Sequence, residues 1–160
     1  MWADSRDALA DLDLPNRRRV LDVGCGTGEL TRVLAIESAD DAEIVGVDAD
    51  RRLLDVASDH VPCVAGDALD LPFADDSVDC VVCQALLINL PEPAAALREF
   101  ARVSTDLVAA IEPNNAAVSV DSTVDSEIDL EARVREAYLR GVHTHLALGE
   151  QVEPLFGAAG

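Results

Sequence analysis

The sequence predicts an α/β fold, a doubly wound and mostly parallel sheet of five strands. Three observations carry that expectation. Short, almost continuously apolar runs such as RVLDVG (19–24), EIVGVD (43–48) and SVDCVVCQ (77–84) alternate with segments of helical period. Runs without polar alternation indicate strands covered on both faces. Helical segments separate strand one from two, two from three and four from five, as right-handed crossovers between parallel strands require.

The elements follow in order. RVLDVG is the first buried strand, and ELTRVLAIESA (29–39) is a helix with Leu30, Val33 and Leu34 on one face. EIVGVD is the second strand, RRLLDVASDH (51–60) the second helix, and PCVAGD (62–67) a short third strand. SVDCVVCQ is the fourth. PEPAAALREFARV (91–103) begins with prolines, which suit a first helical turn, and turns Leu97, Phe100 and Val103 inward. DLVAAIE (106–112) is the fifth strand.

After Pro113 the text becomes polar and turn-rich, as in a loop or lid. EIDLEARVREAYLRG (127–141) reads as an amphipathic helix with Leu130, Val134 and Tyr138 along one side. Ser126 is placed to cap its start and Gly141 to end it. ALGEQVEPLFGAAG is expected to be a last helix interrupted near Pro154. The whole of 1–160 is read as one domain, with a core at about 17–113 and a substrate or lid region at about 114–146.

Composition narrows the setting. The net charge is −19, and all 12 basic residues are arginine. An acidic surface without lysine suits concentrated salt, so a halophilic protein is expected. Codon bias in a GC-rich genome is the other source of such a composition. At low salt this charge repels nucleic acid, which is not an expected partner. At 1 M salt the Debye length falls to about 3 Å, and net charge then says little about partners. No apolar run is long enough to span a membrane, and the first residues lack the order of a signal peptide. A cytoplasmic location is the expectation. Cys80 and Cys83 form a C-x-x-C inside an apolar strand. Residues three apart on a strand face opposite ways, so buried free thiols are expected there and no metal site.

RVLDVGCGTGEL (19–30) carries the strongest signal. Gly24, Gly26 and Gly28 alternate after an apolar strand that ends near Asp22. In an open parallel sheet, ligands bind beyond the carboxyl ends of the strands. Glycines there let a ligand touch the main chain, and the next helix presents its N-terminus. A dinucleotide or another adenosine compound would fit. The dinucleotide fingerprint G-x-G-x-x-G, counted from Gly24, needs a third glycine where Glu29 stands. Glu29 and Asp22 would also oppose a pyrophosphate. A ligand with a ribose diol, an adenine and positive groups suits them better.

VLDVGCGTG resembles the first motif of the class I S-adenosylmethionine-dependent methyltransferases, in their small-molecule-like branch. Further segments resemble that family in register, over about 17–113. The resemblance implies a Rossmann-like sheet of order 3-2-1-4-5 and S-adenosyl-L-methionine as cofactor. It places Asp22, Gly24, Cys25, Gly26 and Gly28 around the cofactor through the glycine loop. Asp48, 20 residues past Gly28, would accept the ribose hydroxyls, with Ala49 beside it. AGDALDLPFADDSVD (65–79) resembles the stretch after the third strand. There Asp67 would accept from the adenine amino group and the Ala68 amide would face the ring. Gln84 would lie at the methionine end. The ADD runs at 39–41 and 74–76 read as solvated acid.

Methyl transfer needs alignment and exclusion of water more than it needs a base. Where relatives often carry histidines after the fourth strand, this chain has LLINLPEP, and Asn89 cannot take a proton. His143 and His145 read as surface or structural residues, and Arg133, Arg135 and Arg140 as a solvated face. No catalytic base is assigned. The leading expectation is a methyltransferase for a small-molecule acceptor. The alternatives are a non-catalytic cofactor-binding or partner protein on the same fold and, disfavoured by Glu29 and Asp22, a nucleotide-dependent oxidoreductase. The family's sheet normally has seven strands, and strands six and seven are not found in the text. The fifth strand is therefore expected at an open edge, covered by a partner chain or a second copy, or left open in a shortened chain.

Overall fold

The computed structural model describes residues 6–114 and 148–160, with positions 130, 133 and 134 between them. The sheet is built from β1 (Arg19–Val23), β2 (Glu43–Asp48), β3 (Cys63–Ala65), β4 (Val78–Gln84) and β5 (Ser104–Ile111). Its order is β3-β2-β1-β4-β5, and every pairing is parallel. Helices α1 (Glu29–Glu37), α2 (Arg51–Ala57), α3 (Pro93–Val103) and α4 (Leu148–Ala159) accompany it. The strand order reverses between β2–β1 and β1–β4, which opens a crevice at the carboxyl end of β1.

Two apolar layers sandwich the sheet. On one face Leu21, Val23, Val47, Val81 and Cys83 meet Leu97 and Phe100 of α3 and Leu148 of α4. On the other face Val20, Ile44, Cys80 and Val82 meet Leu30 and Leu34 of α1. Cys80 and Cys83 thus lie in opposite layers, free and buried, as strand alternation requires.

Several elements differ from expectation. β3 is confined to 63–65, between Pro62, which has no N–H to give, and the turn that the Asp70 amide closes on the Asp67 carbonyl at 3.1 Å. β5 starts at Ser104, directly off the last turn of α3. Helix α4 runs unbroken through Pro154. Proline removes one helical hydrogen bond there, and the stripe Val152, Leu155, Phe156 and Ala159 packed on the core offsets that loss. Two 3-10 turns, Asp7–Leu12 and Leu14–Asn16, had no counterpart in the sequence reading. They deliver Leu9, Leu12 and Leu14 to the α1 layer. Asp75, read as solvated acid, pairs with Arg102 at 2.6 Å, and Arg102 also holds Glu99 at 2.6 Å and the carbonyl of Phe73 at 3.0 Å. That guanidinium fastens the loop before β4 to α3.

The helix expected over 127–141 lies mostly outside the described residues. Its described positions 130, 133 and 134 are helical, and Leu130 and Val134 are exposed. Ser126, Tyr138, Gly141, His143 and His145 lie outside the described residues. Among the described residues the sheet has five strands, with β3 and β5 at its edges.

Candidate functional site

The glycine loop leaves β1 and is pinned at once to the end of β2. The amides of Gly24 and Cys25 donate to the Val47 carbonyl at 2.7 and 3.0 Å. The Gly26 amide donates to Oδ2 of Asp48 at 2.9 Å. Gly24, Gly26 and Gly28 have φ of 76°, 56° and 79°, a region that residues with a β-carbon avoid.

The three glycines serve different ends. A Cβ at Gly24 would come within 2.9 Å of Leu86 Cδ1, and one at Gly28 within 3.0 Å of Val61 Cγ2. At Gly26 nothing lies within 4 Å of that position. A side chain at Gly24 or Gly28 would thus have to displace Leu86 or Val61, whereas of the three only Gly26 faces open space.

Asp48 ends β2 half-buried. Its Oδ1 accepts from the Asp50 amide at 2.8 Å, while Oδ2 holds Gly26. It is not the cap of α2. That role belongs to Asp50, which accepts from Arg52 N at 2.9 Å. Asp67 is exposed beyond β3, where its Oδ1 accepts from Leu69 N at 2.9 Å and its carbonyl from Asp70 N at 3.1 Å. This tight turn sets Ala68 against the crevice. A cavity of about 100 Å³ lies between these loops, lined by Val23, Gly24, Val47, Asp48, Ala49, Gly66, Asp67, Ala68, Leu86 and Leu90.

The cavity thus gathers Gly24, Asp48, Ala49, Asp67 and Ala68. The other expected residues stand apart from its lining. Cys25 is buried with its Sγ packed toward Gly46, where an added Cβ would lie 2.8 Å away, and the thiol donates to the Gly26 carbonyl at 3.8 Å. Burial, with Asp22 and Asp48 nearby, pushes that thiol up to about 12. Gln84 ends β4 half-buried, opposite Ile111. Asp22 lies beneath the loop, 1 % exposed. Its Oδ2 accepts from Thr31 Oγ1 at 2.6 Å, and its Oδ1 has no partner among the described residues. Burial pushes this carboxyl up to about 6, against the lowering effect of Thr31.

Sequence reasoning missed Thr31, Leu86, Leu90 and Glu112. Thr31 is a polar residue on the inward face of α1, beside Leu30 and Leu34, and that position was its signal. Glu112 follows β5 as Asp48 ends β2, an acid at the carboxyl end of an apolar strand.

Residues 21–106 match the family model described as a methyltransferase domain. The chain belongs to this family. Its fold is that of the class I S-adenosylmethionine-dependent methyltransferases, and S-adenosylmethionine is the family's cofactor. The methyltransferase domain is 33 % identical over 108 residues to a demethylmenaquinone methyltransferase of Bacillus licheniformis, a match that covers 64 % of this chain and 46 % of that protein. The chain thus spans less than half the length of that relative. A Haloferax volcanii methyltransferase solved in complex with a methyltransferase activator is 26 % identical, with a TM-score of 0.52 over 64 % of this chain and 45 % of that one. An Aquifex aeolicus methyltransferase shares the fold over 96 % of this chain and 77 % of its own, with a TM-score of 0.70 at 20 % identity.

The residues present suit that cofactor. Open space faces the left-handed Gly26, an orphaned acceptor on Asp22 lies under the loop, and two carboxylates keep spare lone pairs at the cavity.

Proposed function

We propose that this chain is the cofactor-binding and catalytic domain of an S-adenosylmethionine-dependent methyltransferase with a small-molecule acceptor. The observation that carries the proposal is the pairing of Gly26 with Asp48. The side-chain-free residue facing open space is bonded to the one carboxylate that ends β2 at the crevice. A carboxylate held by two backbone amides has a fixed direction and free lone pairs for a ribose diol. In this reading Asp48 holds the ribose with Ala49 beside it, and Asp67 accepts from the adenine amino group while the Ala68 amide faces the ring. Gly24, Cys25, Gly26 and Gly28 bring the main chain close, Gln84 lies at the methionine end, and the orphaned Oδ1 of Asp22 favours the ammonium.

The bound cofactor supplies an electrophilic methyl group on a sulfonium. The chain supplies orientation and dryness. Leu86 and Leu90, with Val23 and Val47, give the cavity an apolar wall. Asn89 is exposed and its Nδ2 donates to the Ala85 carbonyl at 2.9 Å, which leaves its oxygen to orient an acceptor. A small-molecule acceptor is supported by the relatives named demethylmenaquinone methyltransferases. A partner chain or second copy at β5, an outer strand of the sheet among the described residues, belongs to the same reading, and the relative solved with an activator supports it.

Titration calorimetry with S-adenosylmethionine and with a nicotinamide dinucleotide tests the cofactor, and metabolite profiling with methyl-labelled cofactor tests the transfer. Preference for the dinucleotide would overturn the reading. Cofactor binding without any labelled product would leave a binding protein on this fold.

A further inference from the structure

Glu112 follows β5 and is half-buried, and its carboxylate is directed at the loop after β4. Oε1 accepts from the amides of Leu86 and Leu87 at 2.9 and 2.8 Å, and Oε2 from that of Ile88 at 3.3 Å. These three amides open the 3-10 turn Leu87–Asn89, where backbone donors have no partner within the turn. The same loop starts at Ala85, whose φ of 50° is left-handed, and the Ala85 amide is tied to the Ile111 carbonyl at 2.9 Å. The end of β5 therefore grips this loop at four consecutive amides. The gripped segment includes Leu86, and Leu90 follows directly on the turn; both wall the cavity beside Asp48 and Asp67. Leu86 also fills the space that a Cβ on Gly24 would need.

We propose that Glu112 is a positioning residue for cofactor binding, setting the seat of Leu86 over the glycine loop through the backbone of 86–88. The proposal rests on the function proposed above. Oε1 takes the two short bonds, so a neutral amide of the same length keeps them, whereas an apolar side chain of similar volume keeps only the packing.

The test compares Glu112→Gln and Glu112→Met with the wild-type chain, using S-adenosylmethionine titration and hydrogen exchange. Glu112→Met should weaken binding by about tenfold or more, and Glu112→Gln should stay within about threefold. Exchange protection at Leu86, Leu87 and Ile88 should fall in Glu112→Met while protection in β1 and β2 persists, which separates a loosened loop from a failed fold. Unchanged affinity in Glu112→Met despite lost protection at 86–88 would overturn the proposal, as would unchanged protection there. Binding as weak in Glu112→Gln as in Glu112→Met would overturn it too, since the acceptor would then not be what matters. A wild-type chain that binds no S-adenosylmethionine overturns the proposed function and this reading with it. The exchange data identify that failure, because protection at 86–88 would still depend on Glu112.

Discussion

Replacing Asp48 separates a structural bond from a binding one. Its carboxylate accepts from Gly26 N at 2.9 Å and from Asp50 N at 2.8 Å. Hydrogen bonds to a charged group contribute about 1.5–3 kcal/mol when well buried. Asp48 is half-exposed and the Asp50 amide can turn to water, so Asp48→Ala should cost the free protein about 1–2 kcal/mol in all. For a domain of this size that lowers the melting temperature by roughly 2–8 °C. If the same carboxylate also holds the ribose diol, a further 1.5–3 kcal/mol or so is lost on binding, a weakening of about tenfold to a hundredfold. Asp48→Asn keeps one acceptor oxygen for Gly26, so it should melt nearer to wild type and still bind poorly. Scanning calorimetry of the free proteins and cofactor titration of each supply the two numbers. Wild-type affinity in both variants would refute the ribose assignment. A free Asp48→Ala protein with unchanged melting and unchanged exchange at the Gly26 amide would refute the bond to the loop.

The glycines should respond in opposite ways. Gly26→Val should abolish cofactor binding with the fold retained, whereas Gly24→Val should damage the fold itself against Leu86, as circular dichroism and titration together would reveal; normal binding by Gly26→Val would refute the arrangement. Asp22 binds its proton more tightly in the fold, at about 6, than its ordinary value near 3.8. The folded state therefore holds the extra proton between those pH values, and stability falls as pH rises through that window, by about 3 kcal/mol, then levels off. The difference between wild type and Asp22→Asn in urea unfolding, measured from pH 4 to 7, should follow that curve; a difference independent of pH would contradict it. The net charge of −19 predicts that the urea midpoint rises from low to molar salt as self-repulsion is screened, and a flat or falling midpoint would argue against a salt-adapted surface.

The strands were legible because β-branched runs such as VDCVVC have few other places to go, and their parallel pairing followed from the helices between them. Less was legible where a local rule met a tertiary contact. Pro154 argues for a break, but the apolar stripe of α4 on the core overrides it. The 3-10 turns at 7–16 are too short to show a period. At the site, the glycine letters told where a side chain is missing and not what it would have met. Only the position of Leu86 and Val61 separates Gly24 and Gly28 from Gly26. Glu112 acts on residues 24 to 26 positions earlier in the chain, and no spacing rule connects them.

The placement of Cys80 and Cys83 in opposite layers makes the fourth strand a pair of chemical clocks. Burial holds the Cys80 thiol up at about 11 and the Cys83 thiol well above its ordinary range. Since the thiolate is the reactive form, neither can be labelled until its own layer opens. Cys80 reports departure of α1 and the N-terminal turns, and Cys83 departure of α3 and α4. Alkylation followed by mass spectrometry, site by site, would time the two events within one molecule. Equal rates mean that the sheet loses both coats together. Unequal rates mean that one coat peels away first, and they name which.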